Sequence, residues 1–109
     1  MDWDLSRSGG RLVGRPRGRI DESNWEQFSQ ALIAAVREAT AENAALVIDL
    51  SVLDYMSSRG LRALTMAKRE AGEAVTITLA APNGRMREIL AISRYDKLFA
   101  VTDAVGPEA

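Results

Sequence analysis

The chain has 109 residues, 47% of them apolar and 27% charged, with no cysteine, no histidine and a formal charge of −1 from 14 basic and 15 acidic residues. That length suits one domain able to bury a core without metal or disulfide staples. The two missing residue types exclude disulfides, thiolate nucleophiles, cysteine-ligated zinc, Ser-His-Asp triads and HExxH sites. Near-neutral charge excludes a global field that would gather nucleic acid or anionic membrane, so a partner must be recognised locally.

In chain order, apolar points at Leu5–Ser6 and Leu12–Val13 flank Ser8-Gly9-Gly10, which predicts a first hairpin. The first ten residues carry acids and glycines where an export signal needs an apolar run, and no stretch approaches the roughly 20 apolar residues of a membrane span. A cytoplasmic protein without membrane insertion is expected. From Asp21 the period becomes helical: Trp25, Phe28, Leu32, Val36 and Ala39 share one face, with Trp25 and Phe28 expected in the core. Asp21 or Ser23 is the expected N-cap, and Ser23 and Glu26 have capping-box spacing. Trp3 reads equally as core or as contact surface.

Ala45–Leu50 is a continuous apolar run rich in β-branched residues, the pattern of a central strand buried on both faces. A loop is expected through Ser51–Met56. Ser57 or Ser58 then opens a helix burying Leu61, Leu64 and Ala67 and ending at Gly72. Val75–Leu79 is predicted as a strand, and Pro82-Asn83-Gly84 as a turn into a third helix carrying Met86, Ile89, Leu90 and Ile92. Leu98–Val101 closes the pattern as a short strand, and 103–109 reads as a fraying tail. The order β-β-α-β-α-β-α-β implies an α/β fold with a central, mixed but mostly parallel sheet and helices packed against it. No linker or repeat divides residues 1–109.

In such a sheet, chemistry gathers at strand carboxyl ends and at the helix N-termini that follow them. The loop after the central strand places two hydroxyls, Ser57 and Ser58, at a helix start. A serine there caps the helix, or accepts a phosphoryl group of about −1.5 to −2 charge beside the positive end of the helix dipole. Arg59 and Arg62 are near it in sequence, so modification would invert local charge without unfolding the chain.

V-I-D-L-S-V-L-D-Y-M-S-S-R-G-L-R-A-L, residues 47–64, resembles the signature of STAS domains, the anti-sigma factor antagonist family, whose usual form is D-L-S-x-V-x-[FY]-[IM]-[DS]-S-[SA]-G-L-x-x-L. Gly18-Arg19-Ile20-Asp21 resembles the G-x-[LI]-D that precedes that family's first helix. The resemblance implies a STAS-type α/β domain acting, without catalysis, cofactor or metal, as a binding protein in a partner-switching circuit. By position, Ser58 is the implied phosphoacceptor for a histidine-kinase-like serine kinase that is also the anti-sigma factor, with Ser57 as alternative. A serine phosphatase would act on the modified form. Asp21, Ser57, Ser58, Arg59, Leu61 and Arg62 are the implied partner-binding residues, and the chain is expected as a monomer or weak dimer. Ser57 stands where many members have Asp and Arg59 where many have Ser or Ala, and the chain stops where many members continue into another helix. The same resemblance also admits a phosphorylation-independent accessory subunit of a lipid-transporting ABC system. A small hydrolase is less well supported because no base is evident for Ser58.

Arg7, Arg11, Arg15, Arg17 and Arg19 form an acid-free run, but no aromatic residue interleaves them to stack on bases, so a solvated face is expected rather than nucleic-acid binding. Asp49 and Asp54 bracket the signature loop without a third ligand, weak grounds for a metal site. Gly14–Arg19 lacks the Gly-Lys-Ser/Thr ending of a phosphate-binding loop.

Overall fold

The computed structural model describes residues 1–106. Strand β1 (Asp2–Ser8) turns at Gly9-Gly10 into β2 (Arg11–Ile20), and the two pair antiparallel. Next come helix α1 (Trp25–Glu42), β3 (Ala45–Asp49), β4 (Leu53–Met56), helix α2 (Ser58–Ala71), β5 (Ile77–Ala80), helix α3 (Gly84–Ile92), the short helix α4 (Tyr95–Leu98) and β6 (Ala100–Thr102). The sheet runs β1-β2-β3-β5-β6, with β4 paired to the far end of β2. Every pairing except β1 with β2 is parallel. The α/β, mostly parallel architecture is therefore the one the alternating periods imply, and β3 holds the centre.

Strand β4 was not foreseen, since the sequence reads as a loop from Ser51 to Met56. The strand exists because β2 is long enough to serve two partners. Its first half pairs with β3 from Arg11 to Gly14, and its last residues pair with β4 from Gly18 to Ile20. The register shifts at Gly18, which has φ +78° and donates its N–H to Val52 O at 2.9 Å. Glycine makes this bend without the Cβ strain another residue would meet. Pro16, which has no N–H to give, falls in the stretch of β2 between the two partners.

The core lies between one face of the sheet and α1 with α2. Phe28, Leu32, Ala35, Val36 and Ala39 of α1 meet Leu61, Ala63, Leu64, Ala67 and Ala71 of α2 over Leu12, Leu46, Ile48 and Leu79. The small residues on α2 let the two helices approach closely, and each large side chain fully buried contributes about 1.5–3 kcal/mol. Trp3 belongs to this core edge: its ring meets Phe28 edge-on at 6.3 Å and covers Gly14, where any Cβ would collide with it. Trp25 is only half-buried, packing against the core from its rim.

The opposite face of β3 is also buried, because Val47 packs with Val13, Ala80 and Val105. Part of the expected fraying tail thus docks: Arg11 donates to Val105 O at 2.8 Å. Residues 107–109 of that tail lie outside the described residues.

Other boundaries moved for local reasons. Asn24, not Asp21 or Ser23, is the N-cap of α1, and it makes no side-chain cap bond. Asp21 instead closes a tight turn by accepting from Ser23 N and Oγ, while Asn24 Oδ1 accepts from Asp21 N. The capping box is replaced by this Asx turn. Helix α3 is capped by Asn83, whose Oδ1 accepts from Met86 N at 2.9 Å, and its Ile92 is 83% exposed rather than in the core. The fifth strand starts two residues later than expected, at Ile77, and Leu98 ends α4 instead of opening the last strand.

The acid-free arginine run is dispersed among internal partners. Arg7 pairs with Glu38 and Glu42, Arg11 with the tail, Arg15 with Asp49, Arg17 with Asp4, and Arg19 lies over the Tyr55 ring. The short bonds from Arg7 hold Glu42 below the usual carboxylate range.

Candidate functional site

The site is built where β2 ends beside β4 and α2 begins. Ile20 pairs with Met56, and Ile20 O accepts from Ser57 N at 2.8 Å, so the residue before Asp21 is tied to the residue before Ser58. The two motifs that were separate in sequence, Gly18–Asp21 and residues 47–64, are one structural unit.

The two adjacent hydroxyls are treated differently. Ser57 is buried, 8% exposed, and is the N-cap of α2: its Oγ accepts from Gly60 N at 3.3 Å. Ser58 is the first helical residue, exposed, with no acid in the first turn of the helix. Its Oγ makes no hydrogen bond to a basic side chain among the described residues. The helix dipole and the free N–H groups of the first turn favour negative charge at this position.

Arg59 and Arg62 diverge from the same turn. Arg59 reaches back to the turn before α1, 3.2 Å from Glu22 Oε2, with its guanidinium 5.4 Å from the ring of Trp25, the first residue of α1. Arg62 is exposed and has no ion pair among the described residues; it stands between two grooves. The larger, about 540 Å³, runs from Ser58 past Leu61, Arg62 and Met66 to Arg69 and Tyr95. The smaller, about 270 Å³, lies between Arg62 and Trp25. Tyr95 is held in place by a 2.7 Å hydrogen bond with Thr65. Leu61 touches the groove but is mainly core, 8% exposed. Asp21 is half-buried at the neighbouring strand end, and the Ser23 hydroxyl and N–H, with Arg19 nearby, hold its carboxyl below the ordinary aspartate value.

Asp49 and Asp54 do not converge. Asp49 is 2% exposed and accepts from Arg15 Nε at 2.9 Å and from Ser51 N at 3.0 Å, which fixes the turn between β3 and β4. Asp54 instead lines a separate groove of about 360 Å³ with Arg19, Asn83 and Arg85. No group of three potential metal ligands occurs among the described residues, and no helix there is long and apolar enough to cross a membrane.

The sequence did not reveal Glu22 and Trp25 as the partners of Arg59, Arg69 and Tyr95 as groove residues, or Arg15 as the counter-ion of Asp49. Only the last left a signal, because a carboxylate ending a buried apolar strand must be paired.

The chain matches the family model described as Mlab, STAS domain, over residues 4–102. The protein named anti-sigma factor antagonist BtrV, from Bordetella bronchiseptica, is 29% identical over 108 residues, covering 95% of this chain and 88% of that protein. A crystal structure of an anti-sigma factor antagonist from Mycobacterium paratuberculosis superposes with a TM-score of 0.81 at 24% identity, covering 95% of this chain and 86% of that one. The Bacillus cell fate determinant SpoIIAA in its phosphorylated form gives a TM-score of 0.61 at 20% identity, covering 92% and 90%. The structural likenesses carry the fold.

Proposed function

The chain belongs to the STAS domain family, and from that premise we propose that it is an anti-sigma factor antagonist, a binding protein switched by reversible phosphorylation of Ser58. The similarity to BtrV supports the antagonist role. The observation that carries the switch is the division of labour between the two serines: Ser57 is spent on capping α2, and Ser58 is exposed at the first helical position. A phosphoryl group on Ser58 Oγ meets solvent, helix N–H groups and Arg62, whereas one on Ser57 would have to displace the cap and enter a buried site. The enzyme that modifies it is a histidine-kinase-like serine kinase doubling as the anti-sigma factor, and a phosphatase restores the binding form. Asp21 and the exposed parts of α2 make the docking face.

Incubation with that kinase and ATP is expected to add one phosphoryl group, read by intact-mass spectrometry. Ser58→Ala abolishes it and Ser57→Ala retains it, at a cost of about 1 kcal/mol of stability for the lost cap. Labelling that survives Ser58→Ala, or that disappears only with Ser57→Ala, overturns the assignment. Stoichiometric co-purification with a transporter ATPase, with no labelling by any kinase, would replace it with an accessory-subunit role.

A further inference from the structure

Helix α2 carries four basic residues, Arg59, Arg62, Lys68 and Arg69, against the single acid Glu70, in a chain whose net charge is −1. Three of these five charges are engaged: Arg59 with Glu22 and Trp25, Lys68 5.4 Å over the Phe99 ring, and Glu70 with Arg37 at 3.4 Å. Arg62 and Arg69 have no ion pair among the described residues, and both are exposed on the wall of the larger groove. They are seven positions apart, two helical turns or about 10 Å along one stripe. Met66 lies between them, 48% exposed, a large apolar side chain left to solvent beside Tyr95. Among the described residues, no acidic side chain lines this groove.

We propose that this stripe is a docking surface for an acidic amphipathic helix of the partner protein, one that presents two carboxylates two turns apart with an apolar residue between them. The proposal deepens the antagonist reading and rests on it. The carboxylates pair with Arg62 and Arg69, and the apolar residue covers Met66. Ser58 precedes Arg62 by four positions, so the two share one helix face and the mouth of the groove. A phosphoryl group on Ser58 pairs with Arg62 and repels the incoming carboxylates. Phosphorylation thereby turns binding off through charge, the direction a partner switch requires.

The test uses the full chain and two synthetic helical peptides, one with Glu at positions i and i+7 and Leu between them, the other with Lys in place of Glu, followed by backbone amide NMR shifts. The Glu peptide should bind saturably, move amides of residues 58–69, and weaken as salt rises. Arg62→Glu combined with Arg69→Glu should weaken it at least tenfold, and Met66→Ala by a few-fold. Arg85→Glu, in the other groove, should leave it unchanged. Binding of the Lys peptide as tight as that of the Glu peptide, shifts centred on Arg19 and Arg85, undiminished binding to the folded double variant, or no saturable binding would overturn the proposal. Kinase labelling of Ser58 is read separately: labelling without peptide docking rejects this surface alone, and docking without labelling rejects the phosphorylation switch alone.

Discussion

Replacing Gly60 by alanine tests how tightly the start of α2 is seated. A Cβ at this position would lie 2.5 Å from Met56 Cγ and 2.8 Å from Ile20 Cγ2. Both neighbours are core residues, 2% and 0% exposed, so neither can swing into solvent to make room. At an open helical position, glycine to alanine would stabilise the chain by about 1 kcal/mol. Here the methyl group must lift the first turn of α2 from β2 and β4, an overpacking cost of about 1–3 kcal/mol. The balance is a net loss of about 0–2 kcal/mol, with a fall in Tm of about 4–8 °C for each kcal/mol lost. Equilibrium urea unfolding, with the slope compared between variants, measures it. Because the lifted turn carries Ser57 and Ser58, kinase labelling should slow as well, although the acceptor hydroxyl is untouched. A higher unfolding midpoint for Gly60→Ala would refute the reasoning, since it would mean that the space beside Gly60 is open.

Two further outcomes are expected. Asp49 is 2% exposed whereas Arg15 is 42% exposed, so the pair is asymmetric. Arg15→Ala strands a buried carboxylate with only the Ser51 N–H, at about 3–5 kcal/mol, whereas Asp49→Asn keeps that bond and frees Arg15 to solvent, at about 1.5–3 kcal/mol; urea unfolding that ranks the two in the opposite order would reject the buried-charge account. Asp21 has its pKa lowered in the folded state by the Ser23 hydroxyl and N–H and by Arg19. Its contribution is therefore complete above the ordinary aspartate value and is lost as pH falls through the depressed one. The stability gap between the wild-type chain and Asp21→Asn should narrow as pH falls from about 5 through the ordinary aspartate value and below it. A gap that stays constant or widens on acidification would contradict the assigned bonds.

The sequence by itself determined what periodicity and local chemistry can reach. Alternating strand and helix patterns led to an α/β, mostly parallel sheet, the apolar run at Ala45–Leu50 to its central strand, and the spacing of two motifs to the helix start that carries Ser58. These are legible because burial imposes a period of 2 on strands and 3.6 on helices, and because a cap or turn needs particular residues within three or four positions. Tertiary structure decided whatever depends on contacts between segments distant in the chain. Leu53–Met56 is a strand only because β2 bends at Gly18 and offers it an edge. The tail docks at Val105 because Val13, Val47 and Ala80 leave an apolar face to cover. The composition excludes only cysteine and histidine chemistry, and the fold separates the two adjacent hydroxyls: burial beneath the first turn of α2 spends Ser57 on a hydrogen bond, and one residue of helical rotation carries Ser58 into solvent beside Arg62. No local pattern distinguishes two adjacent serines; the distinction comes from the core that α2 is packed upon.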